Sequence, residues 1–305
     1  MVRCKKSFDR ETYIISSPRL QVSVMTLGAT VTSLRFDGRE TVLGYGSVEE
    51  YREGTSYIGA VVGRYANRIA GARFAIDGCE FQLSPNEGAN QLHGGPEAFD
   101  RRVWQAEILD ESAVRFSLRS PDGDNGYPGN LTASVTYTVR GAALRLDFAG
   151  DCDRDTVFAP TSHIYFDLGG DGNVLENRLQ INADSYVPVD GHGIPTGPAR
   201  PAEGEFDFRT PRKIGRDYDH CFVLNGPAAC RVSSGGICME LRTDYPALQL
   251  YTGSGLAAPH RKNQGLALEP EFPPDSPNRR DFPAPLLRRG EHFCKYAEYT
   301  FSSIE

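Results

Sequence analysis

Six histidines stand in this 305-residue chain, at positions 93, 163, 192, 220, 260 and 292. An imidazole changes charge near neutral pH, and beside a carboxylate it can give a proton to one oxygen while its partner takes one from another. Two of the six lie in segments suited to that work. His93 lies in Asn90-Gln91-Leu92-His93-Gly94-Gly95, where two glycines let the backbone pass close to a neighbour and leave the ring free of steric cover. His163 lies in Thr161-Ser162-His163-Ile164-Tyr165-Phe166, an aromatic and apolar run that predicts a partly desolvated ring. His220 follows Asp219 in a polar pair leading into a strand, and His260, just ahead of Arg261 and Lys262, reads as an exposed loop residue. For each histidine taken singly, a hydrogen-bonded structural imidazole is the alternative.

The carboxylate that could complete such a pair is Glu269, in Gly265-Leu266-Ala267-Leu268-Glu269-Pro270. An apolar strand leads in, and the acid arrives at its end, because proline cannot continue a central ladder. That placement suits a cleft, and equally a strand-end acid in solvent. Arg64 and Arg68, in Gly63-Arg64-Tyr65-Ala66-Asn67-Arg68-Ile69, are forked donors for hydroxyls or carboxylates, or else partners for surface acids. The chain has no H-E-x-x-H, no close pair of histidines and no C-x-x-C among its seven cysteines, so neither a metal site nor a disulfide framework is expected. No G-x-G-x-x-G follows a strand, which leaves a dinucleotide cofactor without support.

The elements that must position these groups are strands. Period-two alternation marks Leu20 to Val24, Val114 to Leu118, Thr132 to Val139, Leu144 to Phe148, Leu179 to Val187, Ile237 to Leu241 and Ala247 to Tyr251. Asp77-Gly78, between Phe74-Ala75-Ile76 and Cys79 to Leu83, predicts a two-residue hairpin turn that needs positive φ. Glu49 to Arg52 predicts a short helical turn at most, and the Pro- and Gly-rich stretch from Val189 to Arg212 predicts surface loop. Many antiparallel strands without helices imply an all-β sandwich or barrel, one domain over residues 1–305.

Composition narrows the class further. A net charge of −7 argues against nucleic acid and an acidic membrane surface. No apolar stretch reaches the roughly 18 residues of a membrane helix, and Met1 to Arg10 lacks the apolar run of a signal peptide. Reduced, buried thiols in a cytoplasmic protein are the expectation for the cysteines.

Read together, nine blocks in order resemble the aldose 1-epimerase (galactose mutarotase) family. They are Leu27-Gly28-Ala29-Thr30, Gly63 to Ala70, Asn90 to Gly95, Phe99-Asp100 with Val103-Trp104, Asp122-Gly123 with Gly126-Tyr127-Pro128-Gly129, Ser162 to Phe166, Tyr218-Asp219-His220, Gln249 to Gly253, and Leu268-Glu269-Pro270 followed by Pro274 to Asn278. The resemblance implies a large antiparallel β-sandwich of the galactose mutarotase-like supersandwich type, with an open sugar-binding cleft. It implies Glu269 as the base, His163 as the acid, His93 as the second active-site histidine, and Arg68 and Asp219 as ligands of the sugar hydroxyls. Asn67 and Gln249 follow at the rim. Three positions depart from the pattern: Ser162 for the usual Asn, Asp167 for Asn, and Glu271 for a frequent Gln. A carboxylate at 271 is expected to raise the pKa of Glu269 by like-charge repulsion.

The chemistry these residues suit is mutarotation of a free aldose such as galactose or glucose. Opening a hemiacetal needs a proton taken from the anomeric hydroxyl and one given to the ring oxygen. An ionised Glu269 and a protonated His163 can do both, with no cofactor and no metal. The expected partner is therefore a small sugar, with no nucleic acid and no membrane, in a monomer or homodimer. Rival readings are a hexose 6-phosphate epimerase, for which Arg279-Arg280 and Arg288-Arg289 offer cations, a sugar-binding protein without chemistry, and a glycoside hydrolase using paired carboxylates.

Overall fold

The computed structural model describes residues 1–7 and 10–304. Three antiparallel sheets carry the molecule. The largest has nine strands, in the spatial order Gln105–Asp110, Ala113–Ser120, Leu131–Arg140, Ala143–Cys152, His292–Ser303, Ile237–Thr243, Ala228–Ser234, Arg178–Ile181 and Arg212–Lys213. A five-stranded sheet, Val2–Ser7 through Arg39–Glu40, runs in chain order. A six-stranded sheet runs Tyr165–Phe166, Leu266–Glu271, Ala247–Tyr251, Asp219–Leu224, Ala183–Tyr186 and Arg200–Pro201.

The nine-stranded sheet is the backing layer. Leu131–Arg140 alternates buried and open positions along its whole length, as a strand with one packed face must. Tyr13 of the five-stranded sheet meets Phe116 edge-on, with ring centroids 5.7 Å apart. Phe166 of the six-stranded sheet meets Tyr299 at 5.1 Å. The two smaller sheets thus cover different parts of the same face and share one apolar core. In the six-stranded sheet, by contrast, all of Leu266–Glu271 is buried. That strand is covered on both faces, which is why its apolar run does not alternate.

Most of the expected strands form within a few residues of their expected bounds, and the Asp77-Gly78 turn has φ of 49° and 84°, with Ile76 paired to Cys79. The helical turn is Val48–Glu53, closed at its start by reciprocal bonds between Ser47 and Glu50, a capping box. Two expectations are corrected. Leu179 to Val187 is not one strand: Arg178–Ile181 belongs to the nine-stranded sheet and Ala183–Tyr186 to the six-stranded one. The chain changes sheets at Asn182, whose N–H donates to Ala229 and whose carbonyl accepts from Asn225. Nor does Pro270 end its strand, which runs through to Glu271. Tyr165–Phe166 pairs only with Ala267 and Leu266, so on that side the ladder has stopped before a proline N–H would be missed. Among the described residues no helix is long and apolar enough to cross a membrane.

Candidate active site

One cleft of about 230 Å³ is lined by all seven site residues that the family resemblance implied: Asn67, Arg68, His93, His163, Asp219, Gln249 and Glu269. Its size is below the roughly 300–1,000 Å³ of pockets for drug-sized ligands and suits a small polar molecule. Glu269 projects from Leu266–Glu271 and is paired in register with Gln249 on the neighbouring strand. Asp219 opens its own strand opposite Tyr251. His163 sits between two short strands, with its N–H bonded to Ala60 and its carbonyl accepting from Gly59. His93 follows Gln91–Leu92, which pairs with Arg68–Ile69. The glycine after it has a steric reason: a Cβ on Gly94, at φ +93°, would sit 1.9 Å from the Gly63 carbonyl oxygen.

His163 and Glu269 are almost wholly buried, and His163 Nε2 lies 3.6 Å from Glu269 Oε1. That gap is beyond a hydrogen bond, and neither His163 Nδ1 nor Glu269 Oε2 has a protein partner. Burial opposes charge on both groups. It lifts the Glu269 carboxyl well above the usual range, with repulsion from Glu271 and then Asp219 adding to it. It brings His163 down to about 4. The sequence reading named repulsion from Glu271, and desolvation is the larger cause. Tyr57 and Tyr165 flank the His163 ring, with centroids at 5.9 and 4.8 Å.

His93 is held in a single tautomer. Its Nδ1 accepts from the Asn67 backbone N–H at 3.1 Å, so the proton of the neutral ring is on Nε2. Burial, then the neighbouring His163 and Arg68, hold its pKa well below 6.5. His93 is therefore a neutral hydrogen-bond donor. The same fact bears on metals. Donor atoms of His93, His163 and Glu269 lie within 4.8 Å of one another, but a ring whose free nitrogen carries a proton offers no lone pair there. The donor set does not fit a metal ion.

At the other end Arg68 is clamped. Its Nε and Nη2 bind both oxygens of Glu87 at 2.8 and 2.9 Å, and Nη1 lies 3.7 Å from Asp219 Oδ2. Gln249 Nε2 donates to Asp219 Oδ1 at 2.6 Å, and the Asn67 side chain donates to Glu271 at 2.8 Å.

Other expectations land elsewhere. Arg64 is neither a ligand nor a surface residue: it is 2% exposed and donates to Ser120, Thr156 and the carbonyls of Ser120, Pro121, Pro128 and Gly129. His260 is half-buried beside Tyr45 rather than exposed. Asp167 lies outside the cleft, where its carboxylate caps the N–H groups of Gly170 and Gly172. Ser162 is buried with its hydroxyl unpartnered. Sequence reasoning missed Glu87 and the aromatic walls Tyr57, Tyr165 and Tyr251. Tyr165 carried a signal, two residues after His163, whereas Glu87 lies in an unpatterned turn.

The model of the aldose 1-epimerase family matches residues 11–300. The Escherichia coli (strain K12) aldose 1-epimerase is 40% identical over 316 residues, covering 92% of this chain and 91% of that protein. The galactose mutarotase of Mus musculus is 38% identical, covering 96% and 94%. Among solved structures, a GalM/aldose epimerase homologue from C. elegans superposes with a TM-score of 0.92 at 32% identity, covering 96% of this chain and 98% of that one. Galactose 1-epimerase from Lactobacillus acidophilus gives 0.90 at 28%, covering 100% and 99%. With fold, motif order and relatives in agreement over almost the whole length, the chain belongs to the aldose 1-epimerase family of isomerases.

Proposed function

We propose that the chain interconverts the α and β anomers of free aldoses such as galactose or glucose, with Glu269 and His163 as its acid–base pair. The observation that carries this reading is the 3.6 Å between His163 Nε2 and Glu269 Oε1 in a buried setting. A hemiacetal bears two oxygens on one carbon, and groups this close can address both at once.

In the opening direction Glu269 takes the proton of the C1 hydroxyl, the bond from C1 to the ring oxygen breaks, and His163 protonates that oxygen. An aldehyde results. Rotation about C1–C2 presents its other face; as the ring closes, His163 takes back the proton of the attacking hydroxyl and Glu269 gives its proton to the aldehyde oxygen, which becomes the C1 hydroxyl. The pair holds one proton throughout: ionised Glu269 with imidazolium before opening, protonated Glu269 with neutral imidazole after it. Mutual attraction favours the first arrangement, and burial, which raises the pKa of Glu269 and lowers that of His163, favours the second. A carboxylate of raised pKa is a better base, and an imidazolium of lowered pKa a better acid. His93 donates from Nε2 to the same oxygens, and Arg68, Asp219, Asn67 and Gln249 hold the remaining hydroxyls.

The cleft disfavours a sugar phosphate. Its one cationic side chain, Arg68, is already held by Glu87, and Asp219 and Glu269 add negative charge. None of the four arginines considered for a phosphate lines the cleft, and Arg279 is paired with Asp281 and Arg288 with Asp77 and Asp155. Seven free thiols support a cytoplasmic setting, and one core shared by all three sheets supports a single domain.

The test is the optical rotation of freshly dissolved α-D-galactose and α-D-glucose, compared with a buffer blank. Faster approach to the same end point, lost in folded Glu269→Gln, is expected. Wild-type turnover in that variant rejects the assigned base, and no acceleration with either sugar rejects the substrate class.

A further inference from the structure

Glu271 has no part in the proton transfers above. It does not line the cleft, and its side chain is fully buried behind it, on the same strand as Glu269 and facing the same way two residues on. Its Oε1 accepts from Asn67 Nδ2 at 2.8 Å, and its Oε2 has no partner. Asn67 in turn touches both ends of the site. Its Oδ1 accepts from the Arg68 N–H at 2.8 Å, its N–H donates to His93 Nδ1, and its carbonyl accepts from the His93 N–H at 3.1 Å. Asn67 also has φ of 68°, the left-handed region that asparagine enters more readily than most side-chain-bearing residues, and the bond from its amide to Glu271 fixes where its side chain lies.

We infer that Glu271 is a positioning residue: through Asn67 it fixes the tautomer and place of His93 and the start of Arg68, without touching the sugar. The inference rests on the cleft reading above. Two roles compete for a buried carboxyl here, hydrogen-bond acceptor and source of charge. The charged groups facing it are Glu269, Asp219 and Arg68, and the neighbouring titratable side chains are Tyr65, Tyr245 and Cys221. The two tyrosine hydroxyls donate to the carbonyls of Pro273 and Pro160, so neither solvates the carboxylate. Two acids against one cation, deep in the protein, favour a neutral carboxyl that acts as an acceptor. A glutamine does that equally well.

Four variants in the full-length protein test this: Glu271→Gln, Glu271→Leu, Asn67→Ala and the Leu/Ala double variant, each checked for folding by circular dichroism. Glu271→Met replaces the Leu variant if that one does not fold. Glu271→Gln is expected to keep kcat and KM within about twofold. Glu271→Leu is expected to lower kcat/KM by roughly 10- to 100-fold, the scale of a displaced catalytic contact. Both constants move, because Arg68 holds the sugar and His93 acts on it. Asn67→Ala loses at least as much, since Asn67 also lines the cleft, and the double variant loses no more than Asn67→Ala alone. Three results overturn the proposal: a Gln variant as impaired as Leu, which makes the charge the agent; a folded Leu variant with wild-type kinetics; or losses that multiply in the double variant. Failure of the underlying acid–base reading shows separately, as retained turnover in Glu269→Gln.

Discussion

At one end of the cleft Arg68, Glu87 and Asp219 form a chain of charge-assisted contacts, partly open to water. At the other, His163 and Glu269 are buried, and each leaves a polar atom with no protein partner. Gln249 belongs to both, donating to Asp219 while its Oε1 is left unpaired. The holding end is satisfied before any ligand arrives. The reactive end is not, and an unsatisfied buried polar atom costs roughly 1–3 kcal/mol. Such groups are tolerable where a substrate supplies the missing contacts and where neither protonation state is locked. On the proposed function the contrast separates recognition, built to be stable, from proton transfer, built to be poised.

The largest effect expected from that contrast is on turnover. Glu269→Gln and His163→Asn should each lower kcat by roughly 10²–10⁴-fold with little change in KM, as followed by polarimetry on α-D-galactose. An equal loss of kcat in a holding-end variant would erase the distinction.

Stability against pH sharpens it from the other side. His163 titrates at about 4 in the folded protein and near 6.5 when unfolded. On acidification the unfolded chain takes the proton first, so stability is lost as pH falls from 6.5 toward 4, by on the order of 3 kcal/mol. Glu269 works in the opposite sense. Its folded pKa lies above the unfolded 4.5, so it removes stability as pH rises from 4.5 toward its folded value. Urea melts at a series of pH values should show the acid-side slope reduced in His163→Asn, and an unchanged slope would remove burial as its source. The smallest effect is at the holding end: Arg68→Ala should raise KM about tenfold, the low end for losing a charged hydrogen bond, and leave kcat within a few fold.

Two arginines four residues apart show how far the sequence could be read. Arg64 and Arg68 share one motif and one residue type, yet Arg64 is sealed among carbonyls and Arg68 reaches the cleft. Local pattern does not distinguish them, because the groups that claim Arg64 come from residues 120–129 and Thr156. His93, His163, Glu269 and Asp219 were legible because each stands in a block with its own chemistry. Glu87 was not, since its role exists only once the fold has brought it to Arg68. The same limit hid the pKa inversion: an isolated Glu and His predict an ion pair, and only burial turns the balance toward neutrality. Strand alternation was legible inside single sheets and failed at Asn182, where alternation continues while the sheet changes. The final strand, His292–Ser303, carries the same alternation in Ala297, Tyr299 and Phe301.

That final strand has a consequence for how the protein is made. It joins the run Gln105–Cys152 to Ile237–Thr243, at the centre of the nine-stranded sheet, and it follows every other strand of that sheet in the chain. During synthesis the ribosome releases its neighbours long before it. Until it emerges the backing layer exists as two separate four-stranded pieces, each with an open edge. Closure of the sandwich waits on this strand, whose pairing with Ala143–Cys152 spans 141 to 157 residues of sequence, a separation that makes for slow folding.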